Sequence, residues 1–438
     1  MRKLLDLAEK MVEYGKKKGA TQMQATINEG TEFNVEVRNQ NIEKLTEAGS
    51  ISASFKVIVD EKVATASSSD LKEETLHKLI DNAVTRAKLT SPDEYSALPD
   101  KEAINVNIDE LNLFDQKILD LSPQQKIDYA KKIEEIGKSD ERISLSAGSF
   151  FGSGEGSKNI ANSNGFSGSY KNTIYSCGVF LQSGEGDDLF QDGWYEYGRS
   201  LKTLPKEEEL AKKAIERTTR LIGSRKIDTQ VVPVVFDPQM TGSLLGFISQ
   251  CVSGSSIYMK RSFLVDKLNT KIANDIVNIY DDGLLPGAPG TRPFDGEGVP
   301  TRKTSVIENG ELKNYLLSTY SARKLDMKST GNASGTNNFY LAEGEHTPEE
   351  IIKSVKKGLY LVKTMGQGTD PTTGSLSKGA FGLWIEDGKL AYPVDEITIS
   401  GNLGEMLQNI EMVGNDLAHN RSTCGPTVKI TGMTISGK

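Results

Sequence analysis

Apolar residues at Leu4, Leu5, Ala8, Met11 and Val12 recur with helical spacing until Gly19, so the chain is predicted to open on an amphipathic helix. The period then shortens to two. Residues 21–28, 32–38, 50–59 and 62–67 are predicted strands, with Val57 and Val59 inward and Asp60-Glu61 turning. Asp70-Leu71-Lys72-Glu73 has the form of a capping box, and Leu76, Leu79, Ile80, Ala83, Val84 and Ala87 give the following helix its apolar stripe. Residues 90–107 are polar and contain proline, and read as a connection. Ser122-Pro123-Gln124-Gln125 starts another helix, buried through Ile127, Ala130 and Ile133. Asn164-Gly165, between residues 158–161 and 166–181, predicts a long hairpin. A helix over 206–222 ends at Gly223, and residues 224–229 read as a linker.

The second half carries more strand signal. Residues 231–236 form an apolar run, and Asp237-Pro238 caps a helix with Met240, Leu244, Ile248 and Cys251 or Val252 on one face. Further strands are expected at 277–280, 304–307, 312–317, 381–385, 390–394, 396–399 and 427–430, with Asn309-Gly310 turning a hairpin. Thr347-Pro348-Glu349-Glu350 caps a helix drawn through Ile351, Ile352, Val355 and Leu359. Turn residues are densest over 280–344. There Asp281 to Gly290 and Gly296 to Pro300 are expected as loops, 318–327 as a short helix, and the run from Ser329 as another loop. Strands with helices at intervals, lacking steady β-α alternation, indicate an α+β fold. Two domains are expected: residues 1–223, mixed helix and antiparallel sheet, and 229–438, rich in β-structure.

Composition narrows the function. With 438 residues the chain accommodates two or three domains at about 150 residues each. Lys and Arg number 52 against 60 Asp and Glu, and the net charge of -8 argues against a binder driven by the nucleic-acid backbone. No run of about 18 apolar residues is present to span a membrane. Arg2 and Lys3 are followed by Asp6, too early for a signal-peptide core. Three cysteines, Cys177, Cys251 and Cys424, are odd in number and far apart, which fits free thiols in a reducing cytoplasm.

Candidate chemistry is sparse. Gly152, Gly154 and Gly156 lack the Gly-Lys-Ser/Thr ending of a phosphate loop and precede a hairpin rather than a helix, so they read as glycines of turns and bulges. A zinc peptidase needs converging imidazoles or carboxylates and a general base. Of the three histidines, His77 and His346 fit surface or packing positions, and His419 lies near Cys424. Ser321-Ala322-Arg323-Lys324 fits the Ser-x-x-Lys pattern, but so do residues 354–357 and 375–378, which marks the pattern as common in this composition. Asp281, Asp282, Asp295 and Glu297 suit a divalent cation or, beside Gly and Pro, turn formation. With Gly331 and Asn332 they are the candidate substrate-binding loop residues, since loops on rigid scaffolds carry function.

The succession DDGLLPG, FDGEGVPT, IENGELKNYL and SARKLDMKSTGNA, together with SSSDL from Ser67 and GNDLAHNRSTCGP near the C-terminus, resembles the TldD/PmbA family, once called modulators of DNA gyrase. The resemblance covers nearly the whole chain. It implies a zinc metallopeptidase acting on unfolded or linear peptides. TldD-type members carry HExxxH on the helix that here contains Gly246, Phe247 and Cys251 at the positions of first His, Glu and second His. That departure resembles the TldE (PmbA) branch, whose members pair with a TldD-type subunit holding the metal. The expectation is therefore a chain with no catalytic residue and no metal of its own, zinc in the partner, and a heterodimer. Self-association of the isolated chain stays open. An independent hydrolase, using Ser321 and Lys324 or a site at Cys251 and Cys424, and a non-catalytic regulatory binding protein are the alternatives.

Overall fold

The computed structural model describes residues 2–186 and 189–437. Helix α1 (Arg2–Lys17) buries Ala8, Met11 and Val12, and is followed by β1 (Gln22–Arg38), β2 (Asn41–Val59) and β3 (Lys62–Ser68). The strands expected at 21–28 and 32–38 are one strand. Gly30 does not interrupt it, because Ser50 and Gly156 pair with Gly30 from either side. Asp60 and Glu61 turn with φ of 49° and 67°. In α2 (Glu73–Leu89) the apolar stripe is buried as expected except for the half-buried Leu79. The capping box does not form. Asp70 instead accepts from the Lys72 amide at 3.0 Å and the Thr75 hydroxyl at 2.7 Å, while Glu73 accepts from Lys10 Nζ at 3.1 Å.

Helices α3 (Gln116–Leu119) and α4 (Pro123–Gly137) follow, α4 opening on the reciprocal Ser122–Gln125 cap. The hairpin around Asn164-Gly165 is β4 (Ile143–Asn162) and β5 (Ser167–Ser183), with β6 (Phe190–Gly198) beside it and α5 (Glu207–Thr219) after. Helix α5 stops short of the predicted 222. The six strands form one sheet in the order β3-β2-β1-β4-β5-β6. Helices α1 and α2 cover Met23, Ala25 and Ile27 of β1, whereas α4 covers Phe33, Val35 and Val37. These residues share parity, so both helical layers lie on one face of the sheet. Gly152, Gly154 and Gly156 occupy neither turns nor bulges. They sit inside the β4 ladder, where a Cβ at Gly154 would collide with the Thr31 carbonyl oxygen.

The second half begins with β7 (Gln230–Phe236), α6 (Pro238–Cys251) and α7 (Gly254–Tyr258). Next come β8 (Ile279–Asp282), β9 (Lys303–Glu308), β10 (Glu311–Leu312), α8 (Thr319–Lys324) and β11 (Asn338–Leu341). Asp281 and Asp282, expected in a loop, close strand β8. The hairpin at Asn309-Gly310 forms, with φ of 48° and 75°, but its second strand ends at Leu312 rather than running to 317. Helix α9 (Pro348–Lys353) has the predicted Thr347–Glu350 cap. It ends before Val355, and Leu359 belongs to β12 (Lys357–Met365). Then follow β13 (Thr369–Asp370), β14 (Ser375–Glu386), β15 (Lys389–Asn402), α10 (Leu403–Gln408), β16 (Ile410–Val413), β17 (Thr423–Cys424) and β18 (Val428–Ser436).

These strands make a seven-stranded sheet along β12-β7-β18-β15-β14-β13, with β16 on β18, and a five-stranded sheet β10-β9-β8-β11-β17. Pro233 lies inside β7, where the partner strand β18 shifts register between Ile430 and Met433, so its missing N–H falls at an irregularity. One core, including Phe236, Leu245, Ile248, Phe339 and Trp384, joins α6 to both sheets. The fold is α+β. Every strand of the first sheet precedes residue 199, and every strand of the other two follows residue 229.

Candidate functional site

Helix α6 is placed by strand β7 and by Asp237, whose carboxylate accepts from the Met240 amide at 2.8 Å. Its apolar residues fall on the core side, and Phe247 and Cys251 are both buried there. A carboxylate in place of Phe247 would bury a charge among apolar neighbours. Gly246 is on the opposite side, where an added Cβ meets nothing within 4 Å. Room for a ligand side chain exists at that position, and the chain supplies none. Burial pushes the Cys251 thiol up to about 12.

The remaining metal-type donors are dispersed. His77 stacks on Tyr14 with ring centroids 3.7 Å apart, and His346 Nδ1 is 4.0 Å from Glu350 Oε2. His419 Nδ1 and Cys424 Sγ do meet, at 3.7 Å, beside the Tyr340 ring. Burial pushes the Cys424 thiol up to about 12 and the His419 imidazole below its ordinary value, so both are held neutral. Among the described residues no three His, Cys, Asp or Glu side chains converge. The described residues offer no donor set that fits a zinc ion.

The Ser-x-x-Lys pair is also not assembled. Ser321 belongs to a reciprocal cap with Ser318, its hydroxyl accepting from the Ser318 amide at 3.0 Å. Lys324 Nζ rests 3.9 Å from the centre of the Tyr95 ring.

The acidic loop residues are internal staples. Asp281 is fully buried and accepts from Asn332 Nδ2, the Asn337 amide and Asn337 Nδ2, each at 2.7 Å. Asp295, equally buried, accepts from the amides of Glu297 at 2.8 Å, Val299 at 3.0 Å and Ala333 at 2.9 Å. Burial raises both carboxyls above the usual range, against the pull of these donors. Asp282 accepts from the Leu284 amide at 2.8 Å, and Glu297 from the Thr319 amide at 2.9 Å. The Gly331 amide donates to Ser329 Oγ at 3.3 Å. These bonds bring Asp281, Asp295, Glu297 and Asn332 into one network tying the loops at 295–301 and 329–338 to β8 and α8. Of the candidates, Asn332 lines an open groove of about 680 Å³ between the end of α6, α7, α8 and Pro371.

At the other end of α6 lies a cleft of about 720 Å³, which the motifs did not mark. Strand β6 and helix α5 form one wall; the start of α6, β12 and the segment 416–425 form the other. At its base Arg217 Nη1 is 3.4 Å from Asp237 Oδ2, and Arg217 Nη2 is 3.4 Å from Asp192 Oδ2. Lys213, Arg217 and Arg421 lie against the Trp194 ring at 3.7, 5.2 and 5.7 Å. One signal in the sequence could have found it. Leu210, Ala214, Arg217 and Leu221 share one helical face, and the arginine stands where an apolar residue is expected.

Comparison with known proteins agrees with this architecture. Residues 25–87, 116–222 and 229–437 match the family models for PmbA/TldA metallopeptidase domain 1, central domain and C-terminal domain. The chain is 33% identical to "Metalloprotease PmbA" of Escherichia coli over 426 residues, covering 97% of this chain and 93% of that one. A crystal structure titled as a putative modulator of DNA gyrase from Bacteroides thetaiotaomicron superposes with a TM-score of 0.92 at 31% identity, covering 99% and 98% of the two chains. TldE from Thermococcus kodakarensis shares the fold, with a TM-score of 0.88 at 22% identity and coverage of 98% and 100%. On the strength of three consecutive domain matches and a full-length relative, the chain belongs to the PmbA/TldD metallopeptidase family.

Proposed function

We propose that this chain is the TldE-like, zinc-free subunit of a TldD/TldE-type metallopeptidase that cleaves linear or unfolded peptides in the cytoplasm. The observation that carries the reading is helix α6. Gly246 leaves open space at the position of a ligand, and Phe247 is in the core at the position of the general base. Hydrolysis at neutral pH needs an activated water. Among the described residues no group is arranged to supply one, which supports placing the metal and base in a TldD-like partner. This chain contributes a wall of the shared cleft, including the open groove beside Asn332, whose length along α7, α8 and residues 332–336 suits an extended peptide. Nucleic acid and membrane have no part in the activity. Among the described residues no helix is long and apolar enough to cross a membrane.

The test is degradation of an unfolded peptide by this chain, by the TldD-like subunit of the same cell, and by both together. Cleavage is expected only from the pair, and a chelator is expected to abolish it. Chelator-resistant cleavage by this chain alone rejects the reading. Stoichiometric zinc in the isolated chain, lost on Cys251→Ser, overturns its metal-free half. Ser321→Ala and Lys324→Ala are expected to leave the pair's turnover unchanged, because the two side chains are engaged elsewhere.

A further inference from the structure

The guanidinium cluster at the base of the 720 Å³ cleft is incompletely paired. Arg217 is 8% exposed, and the Arg220 side chain 16%. Surface Arg142 meets Asp140 at 2.7 and 2.8 Å, the spacing of a well-made guanidinium–carboxylate pair. In the cleft the corresponding distances are 3.4 Å for Arg217 to Asp237 and to Asp192, and 3.8 Å for Arg220 to Asp237. Among the described residues Arg217 Nε, Arg220 Nε, Arg220 Nη2 and Asp192 Oδ2 are buried with no hydrogen-bond partner, whereas Arg217 Nη1 donates to Asp237 Oδ2 and Nη2 to the Val362 carbonyl, each at 3.4 Å. A buried donor left without an acceptor costs stability, and more when it is charged. Several together mark a place built for something that completes them.

The nearby acids do not meet that demand. Asp237 accepts from the Met240 amide on Oδ1 and from Arg217 Nη1 on Oδ2, and its Oδ2 stays 3.8 Å from Arg220 Nη2, too far to complete that guanidinium. Asp416 is held by the Thr427 amide at 2.8 Å and the Thr427 hydroxyl at 2.7 Å. Among the described residues five bases, Lys213, Arg217, Arg220, Lys363 and Arg421, line the cleft against four acids, Asp192, Glu216, Asp237 and Asp416. This local excess of positive charge occurs in a chain of net charge -8. Burial lowers the Arg220 pKa, and the neighbouring Arg217 charge lowers it further, a strain that an anion between them would relieve.

The shape of the demand selects the anion. The unpartnered Nε and Nη2 of Arg220 form one guanidinium edge, which favours a planar carboxylate accepting two parallel N–H bonds. Asp192 Oδ2 faces Arg217 Nη2 at 3.4 Å without a hydrogen bond, and so lacks a well-placed N–H donor within the same group of side chains. A terminal peptide residue has both, a carboxylate and an amide N–H one residue's width apart. A base-stacking ligand is disfavoured, because Lys213, Arg217 and Arg421 already occupy the surroundings of Trp194. Met240, Tyr360 and Val362 offer apolar surface for the side chain of that residue.

We propose that this cleft holds the C-terminal carboxylate of a linear peptide on Arg217 and Arg220, with Asp192 accepting the terminal amide N–H. The assignment rests on the peptide reading above, and names a second contact on this chain, at the opposite end of α6 from the groove beside Asn332. Its test needs neither partner nor turnover. A fluorescent N-acylated hexapeptide with a free C-terminal carboxylate, and the same peptide as its C-terminal amide, are titrated into the isolated full-length chain. The acid is expected to bind at least tenfold more tightly than the amide and to raise the unfolding temperature. Arg220→Gln is expected to abolish that preference, and Arg220→Lys to restore part of it. Arg421→Gln, at the cleft mouth, is expected to weaken the acid severalfold without altering the fold, and covers the case in which Arg220→Gln does not fold. Equal affinity for acid and amide, or competition by free leucine as strong as by the peptide acid, overturns the proposal. Neither result bears on cleavage by the pair, and an inactive pair would overturn the peptidase reading while leaving the measured carboxylate preference in place.

Discussion

At the residue scale, buried polar groups in this protein are either closed by local donors or conspicuously open. Asp281 is of the first kind. Asp281→Ala leaves the Asn337 amide and the side-chain amides of Asn332 and Asn337 without their acceptor. The expected loss is about 2–4 kcal/mol, from stranded donors in a dry site. It is read from the urea midpoint, with far-UV circular dichroism in buffer unchanged. A midpoint equal to the parent's would show that the loop network is not held by this carboxylate. The cysteines are closed differently. Cys177, Cys251 and Cys424 are each pushed up to about 12, burial being the first cause in every case. Their folded pKa lies above the unfolded value of about 8.5, so the protonated thiols favour the fold. That contribution is fully present below about pH 8.5 and is withdrawn as pH rises toward 12, by about 1.4 kcal/mol per thiol per pH unit. The midpoint should therefore fall between pH 8 and 10, and single Cys→Ala substitutions should each flatten the fall. A flat parent profile over that range counts against thiol burial as the source.

At the element scale, close backbone approach in β4 gives a sharp prediction. Gly154→Ala places a methyl group against the Thr31 carbonyl, whereas Gly156→Ala meets first the Asn172 side-chain oxygen at 3.3 Å. The first should cost about 1–3 kcal/mol through displaced backbone. The second should cost clearly less, and thermal unfolding of the two variants side by side decides it. This pair also shows where sequence reading stops. Hairpins on Asn309-Gly310 and Asn164-Gly165 and caps at Ser122, Asp237 and Thr347 were legible, because their chemistry is local. Strand β12 was not. Its leucines continue the helical spacing of Ile351 and Ile352, and only pairing with β7 on one side and β14 on the other makes it extended. The same limit governs the site. Gly246, Phe247 and Cys251 could be read from one helix. The cleft is marked in the sequence only by Arg217 on an apolar helical face, and its composition could not be read, since Asp192, Arg217, Asp237 and Arg421 meet only after the chain has closed on itself. The acidic turn residues were visible as residues, but their inward direction depends on Asn332, Asn337 and Ala333, about 40 to 55 positions away.

At the scale of the whole molecule, we propose that residues 1–223 and 229–438 are two domains that unfold as one. The first sheet and the later two have separate cores. Yet the halves are joined by hydrogen bonds that are poorly replaced by water once their surroundings are dry. Arg199 donates from Nε to the Ala288 carbonyl at 3.0 Å and from Nη2 to the Pro289 carbonyl at 2.6 Å. Gln24 Nε2 reaches the Gly296 carbonyl at 2.9 Å, and Arg323 Nη2 the Leu98 carbonyl at 2.8 Å. Phe294, fully buried, packs edge-on against Phe166 and Tyr170 of the first half. The connection is itself anchored. Ser224 Oγ donates to Asp395 Oδ2 at 2.6 Å, the Arg225 amide to the Pro393 carbonyl at 3.0 Å, and Lys226 pairs with Glu396. A segment held this way resists proteases, because cleavage requires local unfolding. Native digestion should leave residues 224–229 intact, and calorimetry should show one transition. Arg199→Ala with Arg323→Ala removes two clamps without touching either core, and should split that transition and expose the connection to cleavage. Two transitions in the parent, or early cutting at 224–229, would mean that the halves fold independently and that the cleft between them is not held at a fixed width.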